Sequence, residues 1–416
     1  MAIDDPRMEK TERKADLYVG QRFVVTIEKI AHGGHFIARH LGAVIFVRHA
    51  IPGEEVEIEI TSTGSSFNRA DVVKVLSASS DRVSAPCQFA HRAGCGGCDF
   101  QHISLERQRQ LKSEVITEQF ARIAKKEVTV QVEEVGGPLG YRTRFTAVTT
   151  RDGALGFRQS RSNKVVPVSD CRILQPELKY QELSNRKWKG DLQVEVSISS
   201  SGSLTGERTI ATGYTRDESP VRTSEGPDIA TYEVNGFPLE VSQRSFWQSH
   251  KDAPRVLTEA VLKFAKVKSG DHVLDLYGGV GLFTSQILGD IGEDGRVDLV
   301  EGSKSATGDA LRNFAGHTNV GIHTGDVEKI LPRFSKADVI ILDPPREGAG
   351  KNVVESMVSL QPRAIVYVAC DPAALARDSA YLESAGYALA EIRAFDLFPM
   401  TQHIESVALF KRVKVS

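Results

Sequence analysis

The chain has 416 residues, of which 41% are hydrophobic and 25% charged, and its formal net charge is −2. This composition is typical of a globular protein of about two to four domains, and so small a net charge gives no general argument for nucleic-acid binding. No apolar stretch approaches the roughly 20 residues of a membrane-spanning helix, and the sequence begins without the layout of a secretory signal. We therefore expect a cytoplasmic protein with no membrane partner, in which five cysteines indicate metal binding and catalysis rather than disulfides.

Short alternating strands separated by glycine turns are predicted between residues 14 and 77. The clearest segments are Arg22–Ile27, Gly42–Val47, Glu55–Ile60 and Ala70–Leu76. They favour a small barrel of the OB type. The turn sequence AIPGEEV at 50–56 resembles the corresponding turn of TRAM domains, which are RNA-binding barrels.

Cysteines mark the next stretch, where Cys87, Cys95 and Cys98 form the pattern C-x7-C-G-G-C and Cys171 stands alone farther along the chain. Four thiolates in two groups suit either a tetrahedral metal site or an iron–sulfur cluster. The softness of the ligands and their geometry allow zinc as well as iron, so the residues alone leave the metal open.

A local excess of positive charge surrounds Cys171. From Gly137 to Gln175 there are seven basic residues and two acidic ones. A surface that contacts RNA phosphates needs such an excess, although a solvated sheet face would carry the same charges. Strand-like patterns fill most of the region, so we expect a central β-rich domain over 78–245.

From about residue 246 the pattern changes to strands that alternate with helices, which predicts a doubly wound parallel sheet. The predicted strands are His272–Leu276, Arg296–Glu301, Val320–Thr324, Asp338–Leu342, Ala364–Cys370 and a last one over Thr401–Phe410. In such α/β folds ligands bind at the carboxyl ends of the strands.

The turn after the first of these strands reads D-L-Y-G-G-V-G-L-F-T from Asp275. Its glycine spacing differs from that of dinucleotide-binding and Walker loops, and it resembles the first motif of class I S-adenosylmethionine methyltransferases. Glu301 ends the next strand, where a carboxylate can accept hydrogen bonds from both ribose hydroxyls of such a cofactor.

Three more side chains are predicted at the same edge of the sheet. Asp343 opens a stiff D-P-P turn, where it can accept a hydrogen bond from a base edge such as uracil N3–H or simply end the strand. Cys370 is a candidate nucleophile that can add to C6 of a pyrimidine and make C5 reactive; its alternative is a small core residue. Glu405 is the candidate base for the C5 proton; its alternative is a solvated carboxylate.

Four motifs carry a resemblance over nearly the whole chain: CGGCxxQH at Cys95–His102, DPPRxG at Asp343–Gly348, CDPAALARD at Cys370–Asp378 and FPMTQHIE at Phe398–Glu405. In them the chain resembles the bacterial RNA uracil-C5 methyltransferases that have a TRAM domain and a 4Fe–4S cluster. The resemblance implies an OB-like TRAM barrel over 14–77, an iron–sulfur domain over 78–245 and an α/β class I S-adenosylmethionine-dependent methyltransferase domain over 246–416.

The resemblance also implies roles for single residues. Cys370 would be the nucleophile and Glu405 the proton acceptor. The cluster ligands would be Cys87, Cys95, Cys98 and Cys171. The S-adenosylmethionine and uracil pockets would be lined by Gln248, Tyr277, Gly279, Glu301, Asp326 and Asp343. The chain departs from the family at Asp371, where the family usually has asparagine, and in a longer gap between the first two cluster cysteines.

The expected substrate is a specific uridine of a structured RNA, with 23S ribosomal RNA favoured over transfer RNA, and we expect a monomer. There are two further alternatives, one among enzymes and one of another functional class. RNA cytosine-C5 methyltransferases use the same thiolate chemistry, but they usually carry a second cysteine near their Asp/Pro-rich motif, and none lies near Asp343 in the sequence. A non-catalytic iron–sulfur RNA-binding protein would not need both Cys370 and Glu405.

Overall fold

The computed structural model of this protein describes residues 17–201, 206–214 and 222–413. Residues 14–16 and 414–416 of the predicted domains lie outside the described residues. Along the described chain there follow a closed five-stranded barrel, a six-stranded antiparallel sheet, a hairpin and an eight-stranded mixed sheet. Within these ranges, none of the helices combines the length and the apolar character needed to span a membrane.

The N-terminal barrel is built from strands in which buried and more exposed side chains alternate, as the period of a half-buried strand requires. Its strands are β1 (Arg22–Ala31), β2 (His35–His40), β3 (Ala43–Arg48), β4 (Glu55–Ser62) and β5 (Asn68–Ser77). They close in the order β1-β2-β3-β5-β4. The predicted OB-like barrel is therefore confirmed, with β2 as its fifth strand.

A helix, α1 (Leu105–Gln119), connects the barrel to the rest of the molecule. The hydroxyl of Ser104 accepts a hydrogen bond from Arg107 N at 3.4 Å and caps its first turn. A short π-helical turn, Phe120–Ala124, follows, and then a three-residue strand, β6 (Val132–Glu134). The apolar side chains of α1 share one core with the barrel and the C-terminal sheet.

The middle sheet has the strand order β12-β11-β10-β7-β8-β9. Its elements are β7 (Arg144–Thr149), β8 (Leu155–Arg158), β9 (Val165–Pro167), a 3-10 turn (Pro176–Leu178), α2 (Tyr180–Asn185), β10 (Leu192–Ile198), β11 (Arg208–Tyr214) and β12 (Arg222–Glu225). A separate core under this sheet contains the aromatic rings of Phe145 and Tyr180. The predicted β-rich character of this region is confirmed.

The C-terminal sheet has the order β17-β16-β15-β18-β19-β21-β20-β6. The hairpin and this sheet comprise β13 (Ile229–Val234), β14 (Phe237–Ser242), α3 (Ala253–Ala265), β15 (His272–Leu276), α4 (Leu282–Ile291), β16 (Arg296–Glu301), α5 (Lys304–Asn313), β17 (Val320–Thr324), α6 (Val327–Ile330), a 3-10 turn (Leu331–Arg333), β18 (Val339–Leu342), α7 (Gly350–Ser359), β19 (Ala364–Ala369), α8 (Pro372–Ser384), β20 (Tyr387–Asp396) and β21 (Glu405–Arg412). Strands β18 and β19 are buried throughout, which explains their continuous apolar sequence.

The alternating strands and helices of the prediction are confirmed, with three differences. Strand β21 runs antiparallel to β19 and β20, so the sheet is mixed rather than purely parallel. The last strand begins at Glu405, because 401–404 form a loop. Strand β6, from a segment assigned to the central domain, pairs in parallel with β20 and extends the C-terminal sheet.

A buried ion pair joins α1 to the end of β20. Lys112 Nζ donates hydrogen bonds to Asp396 Oδ1 at 2.6 Å and to the carbonyl of Phe398 at 3.1 Å. The two charged side chains are 1% and 3% exposed. One turn earlier in α1, Gln108 accepts a hydrogen bond from Met400 N at 2.8 Å. Helix α1 therefore holds the loop that leads into β21.

We expect Lys112→Ala to lower the free energy of unfolding by about 3–5 kcal/mol, because it leaves the Asp396 carboxylate buried without a partner. The measurement is guanidinium unfolding followed by circular dichroism. Lys29→Ala is the matched control. It breaks the more exposed Lys29–Glu118 pair, which also joins the barrel to α1 at 2.5 Å, and should cost less than about 1 kcal/mol. Equal losses in the two variants would contradict the importance of burial.

Candidate active site

The carboxyl ends of the parallel strands open into a cavity of about 930 Å³. Its other wall includes Phe145 and Phe157 from the middle sheet and Cys98 from the segment Cys87–Cys98, which we call the cysteine segment. The cavity is lined by all the residues predicted to bind cofactor or uracil or to carry out the chemistry: Gln248, Tyr277, Gly279, Glu301, Asp326, Asp343, Cys370 and Glu405. The fold thus brings together the whole set of residues predicted for catalysis and for binding S-adenosylmethionine and uracil.

The glycine-rich turn between β15 and α4 forms one side of the cavity. Gly279 and Gly281 have φ angles of 57° and 96°, in the left-handed region that favours glycine. A Cβ atom on Gly281 would lie 2.2 Å from the ring of Phe314, whereas one on Gly279 would meet nothing within 4 Å. Gly281 is therefore required for packing, and Gly279 leaves room for a ligand against the backbone.

Two carboxylates at the ends of the next strands are held in fixed directions. Glu301 accepts hydrogen bonds from Gly279 N at 3.0 Å and from Ser303 N at 2.6 Å. Asp326 caps α6 by accepting a hydrogen bond from Glu328 N at 3.0 Å. Oriented acceptors beside an open glycine turn fit the hydroxyl groups of a nucleoside.

Cys370 and Glu405 come to the same place because their strands are neighbours. Cys370 is the first residue after β19, and Glu405 is the first residue of β21. The two strands pair antiparallel, with Ala369 opposite Ser406. A thiol and a carboxyl group thus lie side by side at the edge of the sheet, and the turn that begins at Asp343 contributes a second carboxyl group to the same cavity.

Burial and the repulsion between negative charges favour the neutral forms of Cys370, Glu405 and Asp343. Burial, followed by the charges of Glu405 and Asp343, raises the pKa of Cys370 to about 12. Burial and then Asp343 raise the pKa of Glu405 well above its usual value. The pKa of Asp343 is raised by burial and by Asp275. Arg346 acts in the opposite direction on both Cys370 and Glu405. Such shifted groups are typical of sites that transfer protons.

The four other cysteines meet around a second, small cavity of about 20 Å³ between the cysteine segment and the middle sheet. Its walls include Cys87, Cys95, Cys98 and Cys171. Burial raises the pKa of Cys98 and of Cys171 to about 12, and nearby thiols add to both shifts. Among the described residues, no three His, Cys, Asp or Glu side chains are arranged as a site for a single metal ion.

Arg346 and His403 line the cavity and lie within the sequence motifs, but they had no predicted role. Arg346 follows the two prolines after Asp343, and its Nη2 lies 3.5 Å from Nδ1 of His403. Burial and then Arg346 lower the pKa of His403 to about 4, so the ring is neutral at physiological pH and can accept or donate a hydrogen bond. Their place inside the DPPR and QHIE motifs was the signal that could have identified them.

Comparisons with known proteins identify related families and relatives. The TRAM domain family matches residues 16–73, and the tRNA (Uracil-5-)-methyltransferase family matches residues 327–413. An uncharacterized RNA methyltransferase of Streptomyces avermitilis is 40% identical over 94% of this chain and 99% of its own length. The 23S rRNA (uracil(1939)-C(5))-methyltransferase RlmD of Shewanella amazonensis is 32% identical over 95% of this chain and 97% of its own.

A solved structure is similar over almost the whole chain. It is the tRNA (uracil-54, C5)-methyltransferase of Pyrococcus abyssi in complex with S-adenosyl-L-homocysteine. The two share a TM-score of 0.71 and 22% identity, over 94% of this chain and 100% of the other. At this level of identity the likeness shows a common fold.

We expect Glu405→Gln to weaken the dependence of stability on pH. A carboxyl group whose pKa is raised by folding binds its proton more tightly in the folded chain. The free energy of unfolding therefore falls as the pH rises from the unfolded value of about 4.3 through the folded value. As the pH is raised above that unfolded value, the variant should therefore lose less stability than the wild type, as measured by denaturant unfolding at several pH values.

Glu391→Gln, which changes an exposed carboxylate on β20, is the control and should retain the wild-type dependence. An unchanged dependence in the Glu405 variant would contradict the raised pKa of that carboxyl group.

Proposed function

Because this chain belongs to the S-adenosylmethionine-dependent RNA uracil-C5 methyltransferases, we propose that it methylates C5 of one uridine in 23S ribosomal RNA, with Cys370 as nucleophile and Glu405 as base. The observation that carries the proposal is the placement of the thiol and the carboxyl group side by side in the cavity that the glycine-rich turn borders.

The roles of the two side chains follow from the chemistry of uracil, whose C5 is a weak nucleophile. The Cys370 thiolate forms a bond to C6, and the electron pair of the C5–C6 double bond becomes available at C5 to accept a methyl group. Glu405 then takes the C5 proton, the double bond re-forms and the thiolate leaves C6. The raised pKa of Glu405 suits a group that must hold this proton.

S-adenosylmethionine would supply the electrophilic methyl group and leave as S-adenosylhomocysteine once its methyl–sulfur bond has broken, and the residues of the cavity fit it. Glu301 and Asp326 would bind ribose hydroxyls, and the open backbone at Gly279 leaves space beside them. Gln248 and Tyr277 line the same region. Asp343 would accept a hydrogen bond from the uracil edge. Phe246, which lines the cavity and is 68% exposed, suits stacking against a base flipped out of its RNA stack.

Ribosomal RNA is favoured by the Shewanella amazonensis relative, because it is named for a uridine of 23S rRNA and matches almost from end to end. The transfer RNA alternative has support from the name of the matching family, tRNA (Uracil-5-)-methyltransferase. Mapping 5-methyluridine in both RNA classes from a deletion strain tests this choice, since a missing modification in transfer RNA alone would overturn the ribosomal assignment. We further propose a cytoplasmic monomer in which the barrel and the basic segment around Arg142–Arg172 bind RNA.

For the middle region we propose a 4Fe–4S cluster held by Cys87, Cys95, Cys98 and Cys171, within a domain division of 14–77, 78–245 and 246–416. An all-thiolate set of ligands suits iron–sulfur chemistry. The four thiols line one small cavity between the residues around Cys87–Cys98 and the middle sheet. The proposed reaction consumes no electrons, so the cluster would be structural.

Cys370→Ala should reduce 5-methyluridine formation by at least about 10³-fold while S-adenosylmethionine binding, measured by calorimetry, is retained. The assay uses purified protein and ribosomal RNA from the deletion strain.

Glu405→Gln should accumulate a covalent RNA–protein adduct on a denaturing gel, because the C5 proton cannot leave. Normal turnover by the Cys370 variant would refute the nucleophile, and an inactive Glu405 variant that never traps RNA would indicate another base.

Protein purified without oxygen should be brown and contain roughly four irons per chain, as expected for a 4Fe–4S cluster. Cys171→Ser should remove the colour and lower the midpoint of thermal unfolding, because structural metal sites contribute to folding. Cys370→Ser is the control and should keep both colour and midpoint. Stoichiometric zinc without iron in anaerobic protein would overturn the cluster and leave the proposed methylation untouched.

A further inference from the structure

The turn between β1 and β2 of the barrel reaches the loop that contains Cys370. Nε2 of His32 lies 2.9 Å from Oδ2 of Asp371, a residue 339 positions away in the sequence. Burial alone would raise the pKa of Asp371, but the hydrogen bond from His32 and those from helix amides hold it below its usual value. An ionised carboxylate can only accept, so the imidazole is the donor.

The carboxylate of Asp371 is held on both oxygens. Oδ1 accepts hydrogen bonds from Ala373 N at 3.0 Å and Ala374 N at 2.9 Å, which cap the first turn of α8. Oδ2 is left to His32. Because Asp371 directly follows Cys370, the direction of its carboxylate and the charge near the thiol depend on a residue of the barrel.

The same turn also touches the segment that leads to Glu405. A Cβ atom on Gly34, whose φ is 74°, would lie 2.6 Å from Cβ of Gln402. A cavity of about 30 Å³ separates the turn from Cys370 and His403. One turn of the barrel therefore packs against both segments that contribute side chains to the proposed chemistry.

We propose that His32 is a positioning residue for the methylation: it orients Asp371 and offsets its charge, and thereby sets the reactivity of the Cys370 thiol. The barrel then takes part in catalysis in addition to any contact with RNA. This inference rests on the proposed role of Cys370 as nucleophile.

Charges on every side of the thiol make its reactivity sensitive to this contact. Asp343 and Arg346 approach from the end of β18, Glu405 from β21 and Asp371 from the start of α8. His403 lines both of the cavities that Cys370 lines, and Lys112 lines the smaller of them. The charges of Asp343, Glu405 and Asp371 thus oppose the thiolate, and the hydrogen bond from His32 reduces the effect of Asp371. Without His32, the charge of Asp371 is less compensated and the thiolate is less favoured.

The test is the rate at which iodoacetamide alkylates Cys370, followed at several pH values by mass spectrometry of the peptide that contains it. Alkylation requires the thiolate. His32→Ala should slow the reaction about 3- to 10-fold near pH 8. Because glutamine can donate the same hydrogen bond, His32→Gln should recover much of the rate. His40→Ala, on β2, where the ring stacks on Phe23, is the control and should match the wild type.

Asp371→Asn separates an effect of charge from one of packing. It should accelerate alkylation, and adding His32→Ala to it should change the rate little, since the charge that His32 offsets is gone. Single-turnover methylation by His32→Ala should approach the wild-type rate as the pH is raised. An unchanged alkylation profile in His32→Ala, or faster alkylation through exposure of the thiol, would overturn the role of His32.

The alkylation arms do not depend on catalysis, so they stand apart from the proposed function. If Cys370→Ala retained turnover, the nucleophile would be refuted, whereas a normal thiol profile in His32→Ala would refute only the inference about the barrel.

Discussion

The buried pair of Lys112 and Asp396 is the contact on which the arrangement of the site depends. Two charges in a dry interior are expensive, and such pairs often add little to stability compared with well-packed apolar residues. Here the pair ties a helix from the first third of the chain to the end of β20, with Phe398 as a further acceptor. The loop that precedes Glu405 is fixed as a result, and so is the carboxyl group that it delivers.

In the free protein the cavity disfavours the ionised forms of its own acidic side chains. A buried thiol, Glu405 and Asp343 crowd one another, and each is pushed towards its neutral form. A cationic ligand entering this space would relieve the repulsion and favour ionisation of all three. In the free protein this repulsion disfavours the Cys370 thiolate. Formation of the thiolate is therefore coupled to the binding of a positively charged ligand.

Much of the fold and the site could be predicted because the signals are local. The glycine turn follows β15, Cys370 follows β19, and the edge of a parallel sheet brings strand ends together. The contacts between distant segments could not be predicted. Lys112 reads as one more charge on an amphipathic helix, β6 has only three residues, and nothing in the sequence around His32 points to Asp371. The start of the last strand was placed four residues too early, because no glycine or proline between Thr401 and Glu405 marks where the loop ends and the strand begins.

Strand β6 also has a consequence for the order in which the chain is made. Glu133 in β6 pairs with Arg393 in β20, 260 positions later, so its place in the sheet does not exist until the end of synthesis. At roughly 5–20 residues per second the delay is about 10 to 50 s. The barrel can close in that time, whereas α1 and β6 must wait. Losing the last strands would therefore leave the middle of the molecule without its neighbours, and a nascent chain has to be protected from aggregation until the ribosome has finished.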